Sequence, residues 1–367
     1  MNRILLGAVT ISGKNFNFNT PHLSIYSTAA FGHLIEPEVE ITISDTEHSR
    51  INPYLDGSFY DKDELNGEDI KVWDDDGNLT YVGVVSRYES RGGDLILYCH
   101  SPLAERMDRT IEVATSSLFP SDALFDVLVE AGLVDFIDDA SFDAARAYYV
   151  LYPQYVVINT EDEEVRLVDI VDSLSKLCSV SISSNELGMI EFRVLIDYVP
   201  EPSVTIDRNK MLSEPTKNTD TEVFNIYQIQ VSSSSNQLAY DEDIDSVYKY
   251  GKKKYEYSPS SGVYVGDMES ANIFGVRKLA WNGEPLRHVS VVVKKDTLVS
   301  INDEVYLDYE GYTGDYLVTA KKYDDNATEL SLLEIPTQRI TNALAILTST
   351  IDVGYSYGIY NSSTWGR

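Results

Sequence analysis

Cysteine is almost absent from this chain of 367 residues: there are two, Cys99 and Cys178. They lie far apart in apolar patterns and form no C-x-x-C, so no disulfide framework is available. Both are expected to be buried free thiols, as suits a chain folded in a reducing compartment. Positive charge is also scarce. Lys and Arg number 29 against 59 Asp and Glu, a formal net charge of −30. A nucleic-acid binder needs a basic face to displace counterions, and docking on anionic lipid needs one too. The overall charge argues against both classes. No apolar run reaches the roughly 18 residues of a membrane-spanning helix. Residues 1–10 are briefly apolar, but Ser12, Lys14 and Asn15 follow too soon for a signal-peptide core, so the segment reads as a strand.

Catalytic and ligand motifs are missing as well. The five histidines, His22, His33, His48, His100 and His288, have no metal-ligand spacing. There is no G-x-S-x-G elbow, no G-x4-GK[ST] loop and no G-x-G-x-x-G turn. The run from Trp73 to Asn78 is acidic like a calcium loop, yet Val72 and Gly83 stand where such a loop needs acids, so it reads as a turn. Glu161–Glu164 and Asp241–Asp245 read as solvated charge runs. Lys252-Lys253-Lys254 reads as a contact to an acidic protein neighbour or to water, with a phosphate backbone as the alternative. Carboxylates are too many to single out a hydrolase pair. The expectation is a non-enzyme with no catalytic residue, no metal site and no cofactor.

What the chain does have is 43% hydrophobic residues and 26 tyrosines, enough for real cores. Residues 1–110 alternate with period two, as in Val39, Ile41 and Ile43, and a Gly92-Gly93 turn joins two β-rich runs. Residues 111–200 change character. Pro120-Ser121-Asp122 predicts a helix start with Ser121 as N-cap, and Gly132 its stop. A second helix is expected over 165–178, with Leu167, Ile170, Val171, Leu174 and Leu177 on one face, then strand, turn and strand over 181–195. Residues 201–335 return to β, interrupted by 233–275. That stretch is rich in Ser, Asp, Gly and Tyr, lacks periodicity and reads as a long loop. A C-terminal arm, 336–367, completes the division. The fold class expected is mainly β with an α+β insertion, two small β-barrels flanking an α+β module.

The two β blocks contain a repeat. Residues 67–100 overlay 302–335 without gaps: Glu68-Asp69 on Asp303-Glu304, Tyr81 on Tyr316, Tyr88 on Tyr323, Leu95 on Leu330. Only those last three positions are identical, so the match rests on pattern. Either any two antiparallel meanders look this way, or one small barrel is used twice. A chain with two copies of one module can trimerise into a ring of pseudo-sixfold symmetry.

Several stretches carry a further likeness. They are Val39–Asp45, Glu68–Trp73, Tyr81–Val85, the helix ending Ala131-Gly132-Leu133, Leu167–Leu177, Gly188–Phe192, Phe224–Ile229 and Asn302–Val305. In this order, across about residues 1–335, the chain resembles the hub proteins at the distal end of phage tails and in contractile injection machines. The resemblance implies a virion structural protein at the tail tip, assembled in the host cytoplasm. It implies two tube-like barrel domains and a homotrimer that caps or adapts a hexameric tail tube beside a distal tail protein. Such a hub carries spike or fibre proteins, meets genomic DNA only in passing, and does not insert in a membrane. An acidic channel wall would repel the phosphates. The 233–275 stretch and the C-terminal tail do not match the family.

That tail is expected to dock on a neighbouring subunit or partner. It carries Ile340, Leu344, Leu347, Ile351, Tyr355, Tyr357, Tyr360 and Trp365, more apolar anchors than a solvated tail has use for. The alternative is that it folds back on its own barrel. The rival functions are a β-rich carbohydrate-binding adhesin and a tail-associated glycan hydrolase.

Overall fold

The computed structural model describes residues 3–12, 16–19, 39–43, 52–54, 58, 64–73, 77, 79–91, 94–100, 103–161, 164–184, 187–194, 202, 204–218, 221–232, 235–259, 261–294, 297, 299, 303–323 and 327–352. The first block is one sheet of β1 (Arg3–Leu6), β2 (Val9–Ser12), β3 (Phe16–Asn19), β4 (Val39–Ile43), β5 (Asp69–Trp73), β6 (Leu79–Arg91) and β7 (Asp94–His100). Their spatial order is β2-β1-β5-β6-β7-β4-β3, a half-barrel. Alternation decides which side chains turn inward. Ile4, Leu6, Ile41, Ile43, Ile70 and Val72 are buried, and the residues between them are not.

The middle begins with the short helix α1 (Ala104–Met107) and β8 (Thr110–Ile111). Then come α2 (Pro120–Glu130), α3 (Asp139–Leu151), β9 (Val156–Ile158), β10 (Val165–Arg166), α4 (Leu167–Cys178), β11 (Val180–Ser184) and β12 (Ile190–Val194). Helix α2 starts two residues earlier than its sequence predicts, with Phe119 rather than Ser121 at the N-cap position. Pro120 takes the first helical position, where its missing N–H costs nothing, and Ser121 is buried inside the helix rather than capping it. The stop is at Gly132 as expected, at φ +70°. The Leu133 amide donates to the Leu128 carbonyl and the Gly132 amide to that of Val129, the paired bonds of a Schellman end. All five residues of the expected α4 stripe are buried.

The last block holds β13 (Val204–Ile206), β14 (Thr216–Lys217), β15 (Ile226–Ser232), β16 (Ser235–Glu242), α5 (Ile244–Tyr250), β17 (Lys254–Tyr257), β18 (Val263–Val265) and α6 (Met268–Asn282). It continues with β19 (His288–Lys294), β20 (Glu304–Leu307), β21 (Gly314–Tyr323), β22 (Ala327–Glu334) and α7 (Thr337–Asp352). The stretch 233–275, expected as a loop, is instead mostly regular structure. Strands β15, β16 and β17 form a small sheet, β18 pairs with β9, and α6 packs on β15 and β16. Its missing periodicity has a cause. Helix α6 is buried on nearly all sides, with even Arg277 and Lys278 inside, so no apolar stripe marks it. Residues Tyr227, Ile229, Tyr257, Val263 and Phe274 share one core with Leu124, Leu174 and Phe192. The central module therefore draws its core from both sides of residue 200.

The second half-barrel runs β13-β20-β21-β22-β19-β14. Its order repeats the first: β20-β21-β22 stand where β5-β6-β7 stand, β19 takes the place of β4, and β14 that of β3. Two differences lie at the other edge: β1 joins β5 antiparallel whereas β13 joins β20 in parallel, and β2, outside β1, has no counterpart among the described residues. The repeat is real in topology, but its register differs from the gapless overlay. Ile70 faces Gly83 and Val72 faces Tyr81; Val305 faces Tyr316 and Leu307 faces Gly314. Each long strand then breaks register just after a buried valine, between Val85 and Arg87 and between Val318 and Ala320. Tyr81 thus corresponds to Gly314, and Gly83 to Tyr316, because the turn before β6 is the longer one. Each sheet keeps a buried Tyr two residues from a Gly on the same face. At Gly83 a Cβ would stand 2.2 Å from the Tyr81 hydroxyl, so only glycine leaves room for that ring.

Candidate functional site

The residues expected to form an interface begin in α7, and the structure shows what holds its first turns. Ile340 is buried with Trp281, Leu286, Leu317, Leu333 and Ile335. Ala343 is buried against Val276 and Ala280 of α6. Ile340 therefore belongs to the chain's own core, and any arm that reaches a neighbour starts beyond Ala343. Leu344, Leu347 and Ile351 continue along the same helix at a spacing of four, three and four residues. The side chains of these three, and all of Tyr355, Tyr357, Tyr360 and Trp365, lie outside the described residues.

The base of α7 is fixed by a polar clamp that hydrophobic patterning does not reveal. The Arg339 guanidinium donates to Asp243 Oδ2 at 2.7 Å, to the Leu279 carbonyl at 2.6 Å and to the Ala280 carbonyl at 3.1 Å. The last two are carbonyls at the C-terminal end of α6, where a cation is favoured by the helix dipole, and the Leu279 carbonyl also accepts from the Gly283 amide. Asp243 also caps α5, accepting from the Ser246 amide at 3.1 Å. Asn225 completes the junction: its amide donates to Ser246 Oγ and the Gly251 carbonyl, and its Oδ1 accepts from the Lys253 amide. One arginine thus ties α5, α6 and α7 together. The sequence signal was present but small: an Asp-x-x-Ser cap at Asp243 and another at Asp267, where Oδ1 accepts from the Ser270 amide at 2.7 Å.

The other sequence-marked groups are dispersed. Cys99 and Cys178 are buried and unbridged. Burial pushes the Cys99 thiol up to about 12 and Cys178 higher still, which makes both poor nucleophiles. Lys278, inside α6, is pushed down to about 7 by desolvation, and its Nζ lies 4.9 Å from the Tyr255 ring. The neighbouring Arg277 donates to the Tyr148 hydroxyl. In the lysine run, Lys254 pairs with Glu256, while Lys252 and Lys253 have no ion-pair partner among the described residues. A cleft of about 300 Å³ lies between α4 and β17, with Asp169, Asp172, Lys176 and Glu256 on its walls. Its Lys176–Asp172 pair closes one side. Among the described residues no group of three His, Cys, Asp or Glu side chains is arranged to hold a metal ion. Residues 74–76 and 78 of the acidic turn, and 162–163 of the first acidic run, lie outside the described residues.

No protein-family model matches the chain, and no curated protein matches it. Solved structures do. A tail protein from Neisseria meningitidis MC58 superposes with a TM-score of 0.59 at 12% identity, over 92% of this chain and 98% of that one. The prophage MuSo2 43 kDa tail protein from Shewanella oneidensis gives 0.56 at 13% identity, over 92% and 99%. The prophage tail protein gp18 from Listeria monocytogenes EGD-e gives 0.53 at 14%, over 95% and 99%. The two half-barrels, the central module and their order are therefore shared nearly end to end with proteins of similar length: this chain has the fold of phage tail proteins.

Proposed function

We propose that the chain is a structural component of a phage tail, a hub at its distal end. Its domains are read as a first tube-like barrel over 1–110, a central α+β module over 111–200 that also takes core residues from within 201–335, a second tube-like barrel from the rest of 201–335, and a C-terminal stretch over 336–367 that is free to act as an arm only beyond Ala343. Three copies, each contributing two half-barrels, would cap or adapt a hexameric tube as a pseudo-sixfold ring and carry spike or fibre proteins. The observation that carries this reading is the repeat itself. Two sheets of one chain share strand order, and each has a bulge after the equivalent valine, Val85 or Val318. A trimer of such chains presents six equivalent edges to a sixfold partner. The likeness to tail proteins over more than nine-tenths of the chain supports a place in the tail. The net charge of −30 suits a wall past which DNA slides without sticking. This role needs no catalytic centre or cofactor. Among the described residues no helix is long and apolar enough to cross a membrane. Mass photometry with negative-stain microscopy of the purified chain tests the reading. Rings of three that bind a hexameric tube support it; a monomer that binds or cleaves glycans overturns it in favour of an adhesin or hydrolase.

A further inference from the structure

The β16–α5 corner presents an apolar surface that the chain's described residues leave uncovered. Tyr248 is 94% exposed, Tyr240 54%, Leu238 46% and Ile244 44%. Leu238 and Tyr240 lie two residues apart on β16, hence on one face of the sheet, and Ile244 and Tyr248 lie one turn apart on α5. Beneath the strand, Ala239 is buried on the α6 side. Strand β16 is also an edge. The sheet order is β16-β15-β17, and β16 has no second strand partner among the described residues. The opposite edge, β17, carries Lys254 and Glu256, charges of the kind that keep foreign strands away. Strand β16 carries its charges only at its last two residues, Asp241 and Glu242, and before them exposes two large apolar side chains.

Charge narrows the choice of occupant. Asp241, Glu242, Asp243 and Asp245 crowd this corner. The Asp241 carboxyl is pushed up by desolvation and by Glu242 and Asp243, so a further acid would be unwelcome there. Residues 353–367, which lie outside the described residues, contain no acid, although the chain has 59. Arg367 is their one charged side chain, and Tyr355, Tyr357 and Ile359 alternate at the period of a strand.

Reach is sufficient. Arg339 holds the start of α7 at Asp243, directly beside β16. The helix then runs back along α6, with Ala343 against Val276, and its 16 residues carry the chain about 24 Å from that point. Fifteen more residues span up to about 50 Å when extended. That length is enough for the segment to extend past its own copy and lie along the β16 edge of another.

We propose that residues 353–367 add as a strand to the β16 edge of a second copy of this chain, packing their aromatic side chains on Leu238, Tyr240, Ile244 and Tyr248. This rests on the reading of the C-terminal stretch as an arm and names its docking site. Amide hydrogen exchange of the full chain and of a chain ending at Asp352 tests it, at an assembling concentration and after dilution to monomer. The expected result is exchange at Gln237–Asp241 slowed about tenfold or more in the assembled full chain only. The protection should vanish on dilution and be lost in the surface variant Tyr240→Glu. Equal exchange in full and shortened chains overturns the proposal, and so does protection that survives dilution, which would place the segment on its own copy. Particle size measured on the same samples separates the two readings: rings of three without protection sink only the docking, and protection in a dimer sinks only the ring.

Discussion

Replacing Arg339 by Ala should uncouple the three helices that meet at Asp243. The Asp243 side chain is 4% exposed and that of Arg339 20%, so the pair at 2.7 Å is nearly out of water. Removing one partner of a buried pair leaves the other charge uncompensated, at a cost of about 3–5 kcal/mol. Two carbonyls of α6 also lose a donor, each worth about 1 kcal/mol. Mitigation comes from water, which enters where the guanidinium was, and from the Gly283 amide, which still donates to the Leu279 carbonyl at 3.0 Å. The net expectation is about 3 kcal/mol, read from urea unfolding of the full chain by the fluorescence of buried Trp281, which packs against Ile340. Asp243→Asn keeps an oxygen for the Ser246 cap while removing the charge, so combined with Arg339→Ala it should cost less than the sum of the two. A coupling of about 1–3 kcal/mol is expected for groups in direct contact. A Cβ at Gly283 would stand 1.9 Å from Arg339 Nη2 and 2.7 Å from the Leu279 carbonyl. Gly283→Ala should therefore destabilise the same junction, and less so in the Arg339→Ala background. An Arg339→Ala chain within 1 kcal/mol of wild type, with α7 amides as protected as before, would refute the clamp.

Gly83→Ala forces a Cβ into the Tyr81 ring and should cost roughly 1–3 kcal/mol by overpacking, with Tyr81→Ala in the same chain relieving part of it; a thermal melt of the two variants decides. Lys278 binds its proton less readily folded than unfolded, so between about pH 7 and the ordinary lysine range the unfolded state holds more protons and stability should rise with pH. The buried thiols, held protonated when folded, reverse that slope above their ordinary range, so the rise should be sought from pH 7 to 8.5 and should flatten in Lys278→Met. Ending the chain at Asp352 should leave its melting profile unchanged, whereas ending it before Ile340 removes core side chains and should lower it by several degrees; equal profiles would contradict the placement of Ile340.

Local pattern determined a good part of this protein. Alternation through Val39, Ile41 and Ile43 marked a strand, on which Ile41 and Ile43 are buried, and the stripe from Leu167 to Leu177 committed α4, because period alone says which face meets the core. Gly132 ended α2 because only its φ closes the helix that way at no cost. The repeated meander, and with it the fold shared with tail proteins, was likewise legible, since strand order follows from short connections between pattern-marked strands. Other features were settled only by the folded chain. Helix α6 left no stripe because neighbours cover it on almost every side, so its existence depends on β15, β16 and α7 being in place. The two-residue shift between the half-barrels turned on the length of the turn before β6 against that before β21, which side-chain pattern alone does not encode. The clamp at Asp243 joins residues 96 positions apart, Asp243 and Arg339, each ordinary in its own neighbourhood. Charge partners of that kind are chosen by burial and distance, and those exist only once the helices have packed.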